Sequence, residues 1–254
     1  MALVPLQHRF DGPRHAPVVI LLPALGTQWS MWAPQMAELT RSARVLRVNH
    51  RGHGASPAPE GSYSIAELGG DILDLLDSYD QERFSVIGAG LGGVVGLWLA
   101  AAEPERVRRM ALLCTTACPP AARWRRIGRR VRTGGMAEVQ QEATRPWFTP
   151  GFTISHPGTV TRLGEEFGAT ATTGYAGCCD ALTNADQRHK LGQIRAATLV
   201  ISAAHDPATP PGHGQRLADG IPEAQLEIVE GAAHLANIEQ GDRVNELLRK
   251  YVVH

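Results

Sequence analysis

Residues 84–96, FSVIGAGLGGVVG, constrain the fold of this chain more than any other stretch. An apolar strand pattern runs into a glycine-rich turn, and a helix pattern follows at once. As G-x-G-x-x-G, with Gly88, Gly90 and Gly93, the stretch is a dinucleotide-binding fingerprint. As G-x-S-x-G, with Gly88 and Gly92, it is a nucleophile elbow in which Gly90 stands at the position of the serine. Features elsewhere in the chain must decide between these two interpretations.

Strand and helix patterns alternate on both sides of this turn. Continuous apolar runs predict buried parallel strands at 18–23, 44–49, 83–88, 108–115, 197–203 and 224–231. Apolar residues at helical spacing predict helices at 64–79, directly after Gly90, at 213–219 and at about 238–251. Ser64 is the predicted N-cap of the first helix. This alternation predicts an α/β fold built on a mostly parallel, doubly wound sheet.

The alternation stops between residues 119 and 190. This stretch holds many Arg, Gly, Thr and Trp residues and helical patterns without a clear strand. A sheet that is interrupted by helices and then completed predicts a core with a helical cap. The predicted segments are the first part of the core at 1–118, the cap at 119–190 and the second part of the core at 191–254.

The charge balance, the apolar runs and the number of cysteines indicate which kinds of partner and which compartment to expect. The 254 residues carry 25 acidic and 25 basic side chains, so no net field favours nucleic acid or a membrane surface. No apolar run has transmembrane length, and the first residues lack the basic and apolar regions of a signal peptide. Four cysteines in a chain of this length are not a disulfide framework. We therefore expect a cytoplasmic protein without nucleic-acid or membrane partners; the oligomeric state stays open.

The sequence lacks an acidic residue that the dinucleotide-binding interpretation of the glycine-rich turn requires. Such folds place an acidic residue about 20 positions further on, at the end of the next strand, to hold the ribose hydroxyls. Here that strand ends in MALLCTTACPP, which contains neither Asp nor Glu. The fingerprint also belongs to the first strand of its domain, whereas two strand patterns precede residue 84. The sequence therefore favours the elbow.

The elbow interpretation predicts partners in a fixed order along the chain. In the α/β-hydrolase fold the acid and then the histidine follow the nucleophile. Asp206 comes after the strand pattern at 197–203, and His234 comes after the pattern at 224–231. Backbone N–H groups for an oxyanion hole are expected from Leu91 and from the turn after the first strand, where the candidates are Ala24 and Leu25.

The chain resembles the 3-oxoadipate enol-lactonases (β-ketoadipate enol-lactone hydrolases) of the α/β-hydrolase superfamily. The resemblance spans nearly the whole sequence and rests on the stretches LGTQWSMW, RGHGAS, GLGG, WFTPGF, GYAGCCDAL, DPATPP and AAHLANIEQ. WFTPGF and GYAGCCDAL are the more specific, because they lie in the predicted cap, where superfamily members differ most. The resemblance implies a small, anionic, cyclic ester-like substrate, no cofactor, and Asp206 and His234 as members of the catalytic triad.

The sequence also departs from the pattern of that family. Gly90 replaces the nucleophilic serine, Asn49 stands where Asp is usual, and Pro23 and Ala24 replace small polar residues. Covalent catalysis from position 90 is therefore excluded. A His234–Asp206 dyad and a backbone oxyanion hole can remain, and loss of one triad member typically leaves about 10³–10⁴-fold catalysis over water. Changes at several pocket positions together favour natural divergence over an engineered inactive variant.

Candidate substrate-binding residues lie mainly in the predicted cap. The run RWRRIGRRVR at 123–132 carries six arginines. It is interpreted as a solvated helix face from which Arg126 or Arg130 binds a substrate carboxylate, in preference to a nucleic-acid site. The other candidates for the pocket wall are Trp32, Asn49, Trp147 and Phe148. Adjacent Cys178 and Cys179 lack further ligands at zinc spacing, so packing is expected and a metal is not.

Two hypotheses follow from the sequence. In the first, His234, oriented by Asp206, is the general base of an enzyme that acts on a small carboxylated or lactone-like substrate. The reaction is then hydrolysis by an activated water, or a cyclisation, elimination or decarboxylation that needs no acyl-enzyme. In the second, the chain is a non-catalytic, ligand-binding pseudo-hydrolase or an inactivated Ser-to-Gly variant of an enol-lactonase. Retention of both dyad residues favours the first.

Overall fold

A computed structural model of the protein describes residues 4–251. Residues 1–3, at the start of the first predicted core segment, and residues 252–254, at the end of the second, lie outside the described part. Seven strands form one sheet: β1 His8–Asp11, β2 Val18–Leu22, β3 Arg44–Val48, β4 Phe84–Ala89, β5 Val107–Leu113, β6 Ala197–Ala203 and β7 Gln225–Val229. Their order is β1-β3-β2-β4-β5-β6-β7, and only β1 is antiparallel to its neighbour among these strands. The predicted α/β fold class is confirmed.

Helices follow most of the strands along the chain, and several fill the segment between β5 and β6. They are α1 Ala33–Leu39, α2 Ile65–Asp77, α3 Leu91–Ala102, α4 Ala121–Gly134, α5 Gln140–Thr144, α6 Pro150–Ser155, α7 Pro157–Gly168, α8 Thr172–Thr183, α9 Pro211–Gly220, α10 Ala236–Glu239 and α11 Gly241–Tyr251. Short 3₁₀ helices lie at Trp29–Trp32, Met136–Glu138 and Arg188–Gln193. None of the helices within residues 4–251 is long and apolar enough to cross a bilayer.

The start of α2 shows how local sequence sets an element. Ser64 accepts a hydrogen bond from the backbone N–H of Glu67, and the Glu67 carboxylate accepts one from the backbone N–H of Ser64. This reciprocal capping box satisfies two N–H groups that the first turn leaves free. The five apolar residues predicted to line one face of the helix are all buried: Ile65, Leu68, Ile72, Leu75 and Leu76.

Strand β1 was not predicted from the sequence. Its four residues, HRFD, are half-exposed at the edge of the sheet and show neither an apolar run nor a clean alternation. An edge strand is held by its pairing with β3, which the local sequence does not reveal.

Between β5 and β6 the described chain is helical, and we refer to this segment, residues 121–183, as the cap. Helices α4 and α8 pack closely, since a Cβ on Gly128 would lie 3.1 Å from the Cβ of Cys179. Cys178 and Cys179 are buried in this packing. The cap is joined to the core where the backbone N–H of Ala171 donates to the carbonyl of Gly52 at 2.9 Å.

Candidate active site

The turn at Gly90 connects β4 to α3. Gly90 has φ 51° and ψ −115°, in the left-handed half of conformational space that favours glycine. A Cβ on Gly92 would lie 2.1 Å from the carbonyl oxygen of Leu22, and one on Gly88 would lie 2.4 Å from that of Gly92. The glycines at 88 and 92 therefore serve close packing of a helix on the sheet. The backbone makes the sharp strand-to-helix turn expected of an elbow.

Asp206 and His234 meet above this turn, although 28 residues separate them. Asp206 follows β6 and His234 follows β7, and Asp206 Oδ2 lies 2.8 Å from His234 Nδ1. A Cβ placed on Gly90 would lie 3.3 Å from the other ring nitrogen, Nε2. The structure thus brings together the three positions that the sequence predicted, with Nε2 facing the place where a side chain at position 90 would stand.

The Asp206 carboxylate is fixed and ionised. Oδ1 accepts the N–H groups of Ala208 (2.7 Å) and Thr209 (3.1 Å), and Oδ2 accepts the Thr209 hydroxyl at 2.6 Å. Burial favours the neutral acid, but His234 and the hydrogen bonds from Thr209 outweigh it and lower the pKa of Asp206 to about 2. An ionised Asp206 keeps the proton of His234 on Nδ1, which leaves Nε2 free to accept one.

Two of the three predicted oxyanion donors border the cavity over Gly90. Leu25 and Leu91 line the same cavity as Gly90 and His234. The N–H of Leu91 belongs to the first turn of α3 and has no acceptor within the helix. Among residues 4–251, no acceptor pairs with the N–H of Leu25. The prediction of Ala24 as an oxyanion donor is corrected, because its N–H already donates to Met31 Sδ at 3.3 Å.

Two buried histidines hold the loop that carries Leu25. His50 Nε2 donates to the carbonyl of Pro23 at 3.0 Å. His53 Nε2 accepts the N–H of Gly26 at 2.9 Å while its Nδ1 donates to the carbonyl of Arg51 at 3.0 Å. Burial lowers the pKa of His50 to about 3, with a further contribution from His53, and burial lowers the pKa of His53 to about 4. Both rings are therefore neutral parts of the scaffold at neutral pH.

We expect the free energy of unfolding to fall as the pH is lowered from about 6.5 to about 4. Unfolded histidines take up a proton near pH 6.5, whereas folded His50 and His53 stay neutral down to about 3 and about 4. The unfolded state then binds more protons, so stability rises with pH by about 1.4 kcal/mol per unit for each histidine. Urea denaturation across this range measures the slope. A His53→Gln variant with an unchanged slope would contradict the assignment.

The cavity over Gly90 is small and mostly apolar. Its volume is about 70 Å³, which exceeds the space of one water. Core and cap both contribute walls, and Val94, Trp147, Tyr175 and Leu182 are the main apolar ones. Trp147, a predicted pocket residue, lies here.

Three other predicted pocket residues lie elsewhere, and these assignments are corrected. Trp32 is fully buried in the core and does not reach the cavity. Asn49 is occupied in the scaffold, because its Oδ1 accepts the N–H of Trp29 and its Nδ2 donates to Gln7 Oε1, both at 2.7 Å. Phe148 stacks on the ring of Phe152 and borders two grooves outside the cavity over Gly90, one of them shared with His205 and Ala233.

The prediction of Arg126 or Arg130 as the carboxylate-binding residue is also corrected. Arg126 pairs with Glu142, and Arg130 pairs with Glu142 at 2.7 Å and with Glu138 at 3.0 Å, on the outer side of α4. Arg123 instead lines the cavity. Within residues 4–251 it forms no ion pair with a carboxylate. Arg123 shares a helix face with Ile127, four positions on, but this spacing does not tell which face of α4 turns toward the cavity.

Sequence reasoning missed Glu239, which joins the histidine loop to the cap. One carboxylate oxygen accepts the N–H of Ala233 at 2.9 Å, and the other accepts the N–H of Thr149 at 3.1 Å and the Thr149 hydroxyl. Beside this contact, the N–H of His234 donates to the cap carbonyl of Pro146 at 3.1 Å. The His234 loop and the cap are thus hydrogen-bonded to each other. The available signal was an acid five residues after the histidine in AAHLANIEQ.

Known proteins share this architecture over nearly the whole chain. A 3-oxoadipate enol-lactonase of Acinetobacter baylyi is 37% identical over 243 residues, which make up 95% of this chain and 91% of that protein. The crystal structure of the enol-lactonase from Burkholderia xenovorans LB400 superposes with a TM-score of 0.96 at 37% identity, covering 100% of this chain and 99% of that one. A hydrolase from Pseudomonas aeruginosa PA01 gives 0.92 at 37% identity, over 96% and 93% of the two chains.

A family model covers most of the chain. Residues 17–240 match the family described as alpha/beta hydrolase fold. This range contains the elbow turn, the cap and both residues of the dyad. The chain therefore belongs to the α/β-hydrolase fold family and is an enol-lactonase-like member of it.

Proposed function

We propose that this chain is an enzyme in which His234, oriented by Asp206, acts as general base without a serine nucleophile. The observation that carries the proposal is the position of His234 Nε2, 3.3 Å from where a Cβ of residue 90 would stand. The lone pair of a neutral imidazole faces that space, while the ionised Asp206 holds the opposite ring nitrogen at 2.8 Å. A water molecule bound there would lose a proton to Nε2 as it attacks a carbonyl carbon.

The proposed reaction opens a lactone or a related ester. The water oxygen forms a bond to the carbonyl carbon, and the N–H groups of Leu25 and Leu91 stabilise the resulting oxyanion. The bond from that carbon to the ring oxygen then breaks, and the ring oxygen takes the proton from His234. Such a site is expected to give about 10³–10⁴-fold acceleration over water, as in triads that lack one member.

The proposed substrate is small and carries a carboxylate. The cavity volume of about 70 Å³ restricts the size of the reacting part, and Arg123 supplies a cation without an ion-pair partner among the described residues. A guanidinium binds a carboxylate through two parallel hydrogen bonds, which orients the substrate as well as attracting it. Enol-lactones give two of the similar proteins their names, and the enol-lactone of 3-oxoadipate carries a carboxylate.

Turnover of the enol-lactone of 3-oxoadipate tests the proposal, with loss of the lactone's ultraviolet absorbance as the readout. The unmodified chain is expected to exceed the rate in buffer by about 10³–10⁴-fold. His234→Gln should return the rate to that of buffer, because glutamine cannot accept the proton. Equal rates for both proteins would rule out the dyad as the base, and binding without turnover by the unmodified chain would favour the non-catalytic alternative.

We expect Arg123→Ala to weaken binding of 3-oxoadipate, while Arg126→Ala leaves it almost unchanged. Arg123 borders the cavity, whereas Arg126 is paired with Glu142 on the outer face of the cap. Loss of a hydrogen bond to a charged group is expected to cost about 1.5–3 kcal/mol of binding free energy. Isothermal titration calorimetry on the three proteins measures the difference. Equal affinities for all three would remove Arg123 from the site.

A further inference from the structure

The space over Gly90, bounded by the Gly90 Cα, His234 Nε2 and Ala24 Cβ, is held open by the backbone around it. The N–H of Gly90 donates to the carbonyl of Leu113 at 3.1 Å, and the Thr115 hydroxyl donates to the carbonyl of Gly90 at 2.7 Å. The turn therefore keeps its elbow geometry although residue 90 has no side chain. A Cβ built there would lie 3.3 Å from both His234 Nε2 and Ala24 Cβ, which is a tight contact, so a free molecule has to lie in the adjoining cavity that Gly90 and His234 line.

The surroundings of this space suit a molecule with one polar and one apolar end. His234 Nε2 offers a proton acceptor on one side. Leu25, Leu91 and Val94 offer apolar surface on the adjoining cavity wall. The cavity of about 70 Å³ holds more than a single water. A short primary alcohol can place its hydroxyl against the imidazole and its methyl group against the wall, which water cannot do.

We propose that the cavity lined by Gly90 and His234 binds a small external nucleophile, a primary alcohol of two or three heavy atoms, and that the protein transfers an acyl group from an ester to it. This rests on the proposed function, because it uses His234 as the base. Methanol carries the same hydroxyl group, on one carbon, that a serine side chain would present to His234. Because Gly90 has no side chain, the nucleophile is a separate molecule that binds as a second substrate. The protein is then an acyltransferase as well as a hydrolase.

The step balances without a redox partner. His234 Nε2 takes the hydroxyl proton of the alcohol as its oxygen forms a bond to the carbonyl carbon of the ester. The bond from that carbon to the original leaving oxygen breaks, and the leaving oxygen takes the proton from His234. One ester and one alcohol give a new ester and a new alcohol, and the imidazole returns to its starting state.

The test follows acyl transfer from 4-nitrophenyl acetate in buffered methanol, with methyl acetate and acetate quantified by proton NMR. The ratio of methyl acetate to acetate in the protein-dependent reaction should exceed that of the same mixture without protein by about tenfold, since binding raises the effective concentration of the nucleophile. It should saturate with methanol. The bulkier tert-butanol, which cannot fit the same space, should give no protein-dependent ester.

Two variants separate this proposal from the proposed hydrolysis. Gly90→Ala places a methyl group in the space and should abolish methyl acetate formation, with circular dichroism as the check on folding. His234→Gln should abolish both products. If acetate formation depended on His234 but the ratio of methyl acetate to acetate equalled that of the mixture without protein, acyl transfer would be overturned and the proposed hydrolysis would stand. No His234-dependent consumption of the ester would overturn both.

Discussion

Gly90→Ser is expected to create an acyl-enzyme and to raise turnover of 4-nitrophenyl acetate by at least about 10²-fold, because removal of a triad serine costs about 10⁶-fold in kcat when its partners are intact. The partners are in place here. A serine Cβ would lie 3.3 Å from His234 Nε2, and Asp206 already orients the ring at 2.8 Å. The measurement is stopped-flow release of 4-nitrophenol, with a burst equal to the enzyme concentration. Intact-mass analysis should show the acetyl group.

Gly90→Ala is the matched control for the increase in turnover expected of Gly90→Ser. It carries the same Cβ in the same left-handed backbone conformation, so both variants should lose roughly 1–3 kcal/mol of stability through strain. Only the serine variant has a hydroxyl for His234 to activate. Equal turnover by the two folded variants would mean that the oxyanion donors or the dyad are misplaced for acyl transfer.

Asp206→Asn is expected to lower turnover of the enol-lactone by about 10²–10⁴-fold, the contribution typical of a positioned general base. The carboxylate accepts the proton on His234 Nδ1, and a pKa of about 2 keeps it ionised throughout the neutral range. An asparagine amide can instead donate to Nδ1, which moves the ring proton to Nε2 and removes the base. Steady-state kinetics should show the loss in kcat.

Asp186→Asn serves as the control for that experiment. Asp186 is an exposed carboxylate paired with Arg188, away from the cavity, and its replacement should leave kcat unchanged. If Asp206→Asn retained full turnover while His234→Gln lost it, the histidine would act without Asp206, and the dyad would have to be abandoned.

The sequence by itself determined six of the seven strands within residues 4–251, the fold class and the order of the candidate site residues. These features depend on local chemistry: apolar runs that must be buried, a capping box at Ser64, and glycines that allow a helix to pack against the sheet. Asp206 and His234 were predicted from the order of acid and histidine in the α/β-hydrolase fold, which has a topological reason. Parallel strands end at one edge of the sheet, so residues that follow β6 and β7 lie near the turn after β4.

Tertiary structure alone decided which neighbours of those residues take part in the site. Whether Arg123 or Arg126 faces the cavity depends on how α4 is rotated against α8, and whether Ala24 or Leu25 offers a free N–H depends on the sulfur of Met31. The link from Glu239 to Thr149 spans 90 residues. Such contacts are set by the packing of distant segments, and a local pattern carries no information about the rotation of a helix or the register of a loop.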